Sequence, residues 1–355
     1  MRIGNIKLLL TGLVFLLACS NAESQRRGEE LPEQHATAIK NYLAPANKIN
    51  GVNFSAPARA IESGWTADLQ HINASWVSLI PFGFSKVDAP GVYYEPERQF
   101  WGESIEGIRT NIKQAHEAGL KVMIKPQVWM QRGWIGDFDL HTEEDWKIWE
   151  NDYEKYIMHF AKLGALENAE MICLGTEYRN AVKKRPEFWA RLATDIRKIY
   201  KGKLTYCANW DDYPDVKFWK SLDYVGISSY YPLSEAQTPT VAELEKAWKP
   251  IKAQLKTFSE KQQKPILFTE FGYRSMDQSA WRSWEMEYQE RPLNMLAQAN
   301  AYEALFKTFW KENWFAGGFA WKWYSSFHRM DPKNNHDWTP QNKKAQEIMK
   351  IYFGK

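Results

Sequence analysis

The chain has 355 residues, with 46 Lys and Arg against 43 Asp and Glu and a formal net charge of +3. That length suits a single α/β barrel with insertions and needs no disulfide or metal staples. The near balance of charge gives no electrostatic case for nucleic acid, whose binders concentrate Lys and Arg on one face. The excess is aromatic: 18 Trp, 17 Tyr and 18 Phe. Most such rings belong to the core, but Trp and Tyr also stack on the apolar faces of sugar rings while their polar edges stay wet.

At the N-terminus, Arg2 and Lys7 are basic, and Leu8 to Leu17 form an apolar stretch too short to span a bilayer. Leu16-Leu17-Ala18-Cys19 follows and reads as a bacterial lipobox. Residues 1–18 are then a lipoprotein signal peptide, and Cys19 is the lipid-bearing first residue of the mature protein. Several acyl chains anchor stably, so the expected location is the bacterial cell envelope, extracytoplasmic, with the membrane as a partner through Cys19. Residues 19–47, polar and holding Pro32 and Pro45, read as a tether with one short helix around His35–Leu43. No linker interrupts 48–355, which is taken as one domain.

Within that domain β-rich runs alternate with helical periodicity. The predicted strands are Gly51–Ser55, Trp76–Pro81, Lys121–Gln127, Met171–Thr176, Lys203–Ala208, Tyr224–Ser228, Pro265–Glu270 and Ala316–Trp321. Between them run apolar stripes at helical spacing. One comprises Ile105, Ile108, Ile112 and Ala115; another Trp146, Trp149, Tyr153, Tyr156 and Phe160; a third Val241, Leu244, Trp248, Ile251 and Leu255. Gly119 closes the second helix as a C′ glycine. Eight βα units permit a closed barrel or an open doubly wound sheet. The open sheet wants a Gly-rich first turn, and here that turn is Asn53-Phe54-Ser55-Ala56-Pro57. The expected fold is therefore a (β/α)8 TIM barrel, with its chemistry at the C-terminal ends of the strands.

Cys173 and Cys207 lie in apolar strands and read as buried thiols. The His residues at positions 35, 71, 116, 141, 159, 328 and 336 show no metal-ligand spacing. No metal and no cofactor is expected.

Two strands end in glutamate: Ile172-Cys173-Leu174-Gly175-Thr176-Glu177 closes the fourth, and Ile266-Leu267-Phe268-Thr269-Glu270 closes the seventh. A carboxylate placed directly after an apolar run bears a desolvation cost that a merely structural position rarely carries. Each alone reads equally well as a salt-bridge partner; together, at strands four and seven of a barrel, they read as a catalytic pair. These motifs, with Thr269-Glu270-Phe271-Gly272-Tyr273-Arg274-Ser275 and Gly317-Gly318-Phe319-Ala320-Trp321-Lys322-Trp323, resemble glycoside hydrolase family 113, the β-mannanases of clan A. The likeness runs over most of residues 48–350. It implies a retaining hydrolase of β-1,4-mannan or mannooligosaccharides, with Glu177 as general acid/base and Glu270 as nucleophile. Many clan members carry Asn just before the acid/base where this chain has Thr176, so another residue must meet the sugar's 2-hydroxyl.

Other strand ends supply sugar contacts. Lys125, Gln127 and Asn209 can hydrogen-bond hydroxyls, Trp129 and Trp134 follow strand three, and Tyr230 can orient the nucleophile. Trp321 and Trp323 share one strand face. By the resemblance, one of them floors the reactive sugar's subsite and the other packs the barrel. The long loops 82–103 and 324–340 place Trp101 and Trp338 as candidates for flanking subsites. Two alternatives stay open: a hydrolase of another β-glycan of glucan or xylan type, and an inactive glycan-binding surface lipoprotein.

Overall fold

A computed structural model describes residues 48–94, 99–282, 284–285, 291–326 and 335–354. The lipobox with Cys19, the tether with its expected helix, and His328 lie outside the described residues. The barrel begins with β1 (Ile49–Ser55), followed by α1 (Trp65–His71). Next come β2 (Trp76–Leu79), β3 (Phe82–Ser85), α2 (Ile105–Glu117), β4 (Lys121–Ile124), β5 (Gln127–Met130) and α3 (Glu143–Leu166). The middle of the chain forms β6 (Met171–Thr176), α4 (Arg179–Lys184), α5 (Pro186–Ile199), β7 (Lys203–Asn209), β8 (Val225–Ser228) and α6 (Val241–Gln262). The last elements are β9 (Ile266–Phe271), α7 (Met295–Phe309), β10 (Phe315–Tyr324) and α8 (Lys344–Phe353).

Eight of the strands close into a barrel in the order β1-β10-β9-β8-β7-β6-β4-β2, every neighbouring pair parallel. The fold is a (β/α)8 barrel. Two predicted strands end sooner than expected. Trp76–Pro81 and Lys121–Gln127 stop at Leu79 and Ile124, just before Pro81 and Pro126, which have no N–H to donate to a ladder. Beyond each proline the chain resumes as β3 and β5, which pair with each other, Phe82 opposite Gln127 and Ser85 opposite Met130. This small second sheet rises above the barrel mouth and carries Gln127 and Trp129 over the site.

Helix starts follow local chemistry. Ser104, Thr142 and Asn294 accept from the backbone N–H three residues on, and Thr240 with Glu243 forms a capping box. Most of the aromatic excess is core. Trp149, Tyr153, Tyr178, Phe188 and Trp189 interlock between α3, α5 and the barrel, and the Tyr153 hydroxyl donates to the Leu174 carbonyl at 3.0 Å. Inside the barrel, Met123, Met171, Cys173, Cys207, Leu267 and Phe319 form an apolar plug, and both cysteines are free and buried. The plug lies in the barrel beneath the cleft. Gly317, at φ +117°, lets β10 lie against Ile49: a Cβ there would sit 2.3 Å from the Ile49 carbonyl oxygen. Among the described residues, no helix is long and apolar enough to cross a membrane.

Candidate active site

Glu177 stands one residue past β6 with φ +56°, a left-handed conformation uncommon for a residue with a Cβ. It is held there from both sides: its N–H donates to the Cys207 carbonyl at 2.8 Å, and the next N–H, of Tyr178, donates to the Tyr206 hydroxyl at 2.9 Å. Glu270 is the penultimate residue of β9, opposite Ser228 of β8. Both side chains line one cleft of about 760 Å³ at the C-terminal mouth of the barrel.

The two carboxyls have opposite surroundings. Three donors converge on Glu270. The Lys125 ammonium and the Gln127 amide, the latter at 2.7 Å, meet Oε1, and the Tyr230 hydroxyl meets Oε2 at 2.9 Å. Glu270 thus faces one positive charge and two neutral donors. Glu177 receives the Trp134 indole N–H on Oε2 at 2.8 Å. Burial, reinforced by the negative charge of Glu270, pushes the Glu177 carboxyl up to about 7. Near neutral pH the Glu177 carboxyl can therefore hold a proton.

Trp134 is braced in turn by Arg179, whose guanidinium carbon lies 4.7 Å from the indole centre. That guanidinium pairs with Asp211 and, at 3.0 Å, with Asp212. Arg179 follows Glu177 by two residues in the sequence, yet only the loop carrying Trp134 shows what it does.

The remaining residues singled out in the sequence divide into two groups. Gln127, Trp129, Asn209, Tyr230, Trp321 and Trp338 line the cleft. Three others call for correction. Lys125 was expected to meet sugar hydroxyls. It is instead fully enclosed, with its ammonium on Glu270 and 5.2 Å from the centre of the Trp321 ring. Its place is beneath the site, because β4 ends at Ile124 and points the next side chain inward. Trp323, a candidate platform, is 1 % exposed and packs in the outer core, since the irregular register between β1 and β10 turns it away from the cleft. Trp101 lies outside the cleft too, in a 3-10 turn whose backbone bonds to Ala58. Trp321 alone of the strand-eight pair faces the cleft, and the peptide joining it to Lys322 is cis.

Sequence reading missed Trp210 and Trp284, which approach each other at 6.1 Å on the cleft wall. Neither lies in a motif, and the loop that brings Trp284 there carries no periodic signal. Thr176 lines the cleft as well, and its buried hydroxyl has no hydrogen-bond partner among the described residues. Among the described residues, no group of three or more His, Cys, Asp or Glu is placed to hold a metal ion. Such a site can pass a proton from one glutamate while the other attacks, between aromatic walls shaped for flat apolar faces.

The sequence profile of Glycoside Hydrolase Family 113 matches residues 60–343. The chain belongs to this family. It is a glycoside hydrolase, and its substrate is an oligosaccharide or polysaccharide. Among solved structures, the family 113 β-mannanase AaManA from Alicyclobacillus acidocaldarius, in complex with ManMIm, is similar with a TM-score of 0.75 at 24 % identity, covering 86 % of this chain and 97 % of that one. A family 113 β-1,4-mannanase gives a TM-score of 0.76 at 23 % identity, covering 86 % and 99 %. A β-glucuronidase from Ruminococcus gnavus is more distant, with a TM-score of 0.60 at 15 % identity over 86 % of this chain and 50 % of that one. At these identities the likenesses speak for the fold. Among curated proteins, none matches the chain.

Proposed function

We propose that this glycoside hydrolase cleaves β-1,4-mannan or mannooligosaccharides with net retention, by double displacement. The observation that carries the mechanism is the unequal environment of the two glutamates. Glu270, held charged by Lys125, Gln127 and Tyr230, attacks the anomeric carbon while Glu177 gives its proton to the departing glycosidic oxygen. The leaving sugar departs with that proton, and Glu270 is bonded to the glycosyl unit. Glu177, now ionised, takes a proton from water. The resulting hydroxide attacks the same carbon and frees Glu270.

Mannose as the sugar is supported by membership of family 113 and by the two mannanases that share the fold. The test is reducing-sugar release from mannan, glucan and xylan by the wild type and by Glu270→Ala, with the first anomer followed by NMR. Release from mannan alone, lost in the variant and giving the retained anomer, is the expected result. Comparable release by both proteins, or an inverted first product, overturns the mechanism.

We further propose that the protein is anchored at the bacterial envelope through lipid on Cys19. The lipobox Leu16-Leu17-Ala18-Cys19 supports this. Lys48 precedes β1 at the N-terminal face of the barrel, bonding to the Glu312 carbonyl at 2.7 Å. The described fold thus begins on the barrel face opposite the cleft. A Cys19→Ala protein should leave the membrane fraction; one that stays there argues against the anchor.

A further inference from the structure

Lys343 stands just before α8 and is 4 % exposed, a buried lysine that no step of the hydrolysis uses. Its ammonium has three N–H donors and meets three acceptors. These are the Ser275 hydroxyl at 2.9 Å, the Asp337 carbonyl at 3.0 Å and the Asn335 side-chain oxygen at 3.5 Å. None of the three is a carboxylate. Burial pushes the ammonium down to about 7; the nearby Asp337 carboxylate opposes this, and the Arg274 guanidinium adds to it. A buried ammonium is costly where an apolar side chain is not, so this position calls for something that only the ammonium supplies.

What it supplies is placement. Its acceptors belong to two loops at the C-terminal mouth of the barrel: Ser275 follows β9, and Asn335 and Asp337 follow β10. The two loops are bonded to each other around it. The Ser275 hydroxyl donates to the Asn335 carbonyl at 2.6 Å, and the Arg274 guanidinium donates to the His336 carbonyl at 3.1 Å. Within the second loop, Asn335 Oδ1 accepts from the Asp337 N–H at 2.7 Å, and Asp337 Oδ1 accepts from the Trp338 N–H at 2.6 Å. The Asp337 carboxylate also accepts from the Tyr324 hydroxyl. Each of these bonds fixes the backbone that carries Trp338.

Trp338 lines the cleft, and its ring meets that of Tyr230 edge-on, with centroids 5.2 Å apart and planes at 67°. The Tyr230 hydroxyl donates to Glu270 at 2.9 Å. A phenol is aimed by what its ring rests against, and among the described residues Trp338 is the ring beside Tyr230. The path from Lys343 to the nucleophile therefore runs through one loop, one indole and one hydroxyl. Lys343 itself does not line the cleft.

We propose that Lys343 is a positioning residue for the hydrolysis: by holding residues 335–338 it seats Trp338 against Tyr230 and so keeps the Tyr230 hydroxyl on the Glu270 carboxylate. This rests on the reading of Glu270 as nucleophile and adds to it a residue that touches neither the substrate nor that carboxylate.

The test has two arms. In the first, the protein carries 5-fluorotryptophan, and the Trp338 fluorine resonance is identified by its absence from Trp338→Phe. Lys343→Met should shift or broaden that resonance, and an unmoved resonance overturns the placement. In the second, kcat/KM is measured at pH 6, below the value of about 7 at which Lys343 titrates. The proteins are the wild type, Lys343→Met, Tyr230→Phe and the double variant, on 4-nitrophenyl β-mannoside and β-glucoside. Lys343→Met should lower kcat/KM about tenfold where Tyr230 is present, the value of one hydrogen bond to a charged group. In Tyr230→Phe it should cost at most about twofold, the scatter expected of independent sites. An equal loss in both backgrounds, which a merely structural lysine would give, or no loss in either, overturns the positioning role. If Lys343→Met does not fold, Ser275→Ala, which removes one of its acceptors, takes its place in both arms. A wild type that cleaves neither glycoside overturns the hydrolase reading and the positioning role with it, while the fluorine resonance still reports whether Lys343 seats Trp338.

Discussion

Lys125→Met isolates the part of the site that the fold hides most completely. Lys125 has no exposed side-chain surface and Glu270 has 8 %, on the side of the cleft, so their ion pair is largely shielded from water. Breaking such a pair strands a buried carboxylate, at a cost of about 3–5 kcal/mol. Two donors would remain on it, Gln127 at 2.7 Å and Tyr230 at 2.9 Å, which places the expected loss toward the lower end of that range. Glu270→Gln alone strands the ammonium instead. The double variant strands neither charge, because the new amide's oxygen can accept from Gln127 while its NH2 donates to the Tyr230 hydroxyl. Urea denaturation of the four proteins at pH 7 should therefore give a coupling of about 2–3 kcal/mol, well outside the ~0.5 kcal/mol within which independent sites add. In parallel, kcat/KM of Lys125→Met should fall roughly 10- to 100-fold, the value of a charge-assisted hydrogen bond of ~1.5–3 kcal/mol. Additive losses in the denaturation cycle would refute the claim that the two charges depend on each other.

Three further outcomes follow from the geometry. Glu177 is raised to about 7 and must be protonated to act, so kcat/KM should decline as pH rises through that value. Trp134→Phe removes the indole N–H that favours the charged form, so that decline should move to higher pH; an unmoved or lowered limb would contradict the assignment. Trp323→Ala should destabilise the protein by about 3–5 kcal/mol, the cost of emptying a buried aromatic site, as measured by denaturant midpoint. Trp321→Ala should instead raise KM with little change in the midpoint. Gly317→Ala places a methyl group 2.3 Å from the Ile49 carbonyl oxygen at φ +117°, and calorimetry should show a loss above about 2 kcal/mol.

Much of this protein is legible in its residue order, because the signals are local and periodic. Eight β-rich runs alternating with apolar helical stripes specify eight parallel strands, and the glycine-free turn after the first strand argued against the open-sheet alternative. The two glutamates stood out because each follows an apolar run at a strand end, a placement visible without coordinates. Boundaries were less accessible: Pro81 and Pro126 look like ordinary strand ends, yet they divide two strands and lift β3 and β5 into a sheet over the cleft.

Tertiary structure alone decided the electrostatics and the walls. Lys125 and Glu270 are 145 residues apart, and only barrel closure makes one the counter-charge of the other. The same closure separates Trp321 from Trp323, whose alternation along a strand had seemed to place them on one face. An irregular register between β1 and β10 sends one to the cleft and the other to the outer core. Which side chains meet across a barrel mouth depends on shear and loop path, quantities set by the packing of the whole ring of strands and absent from any single segment. Local order thus singled out the two glutamates, and the closed ring gave them the unequal surroundings on which their proposed roles rest.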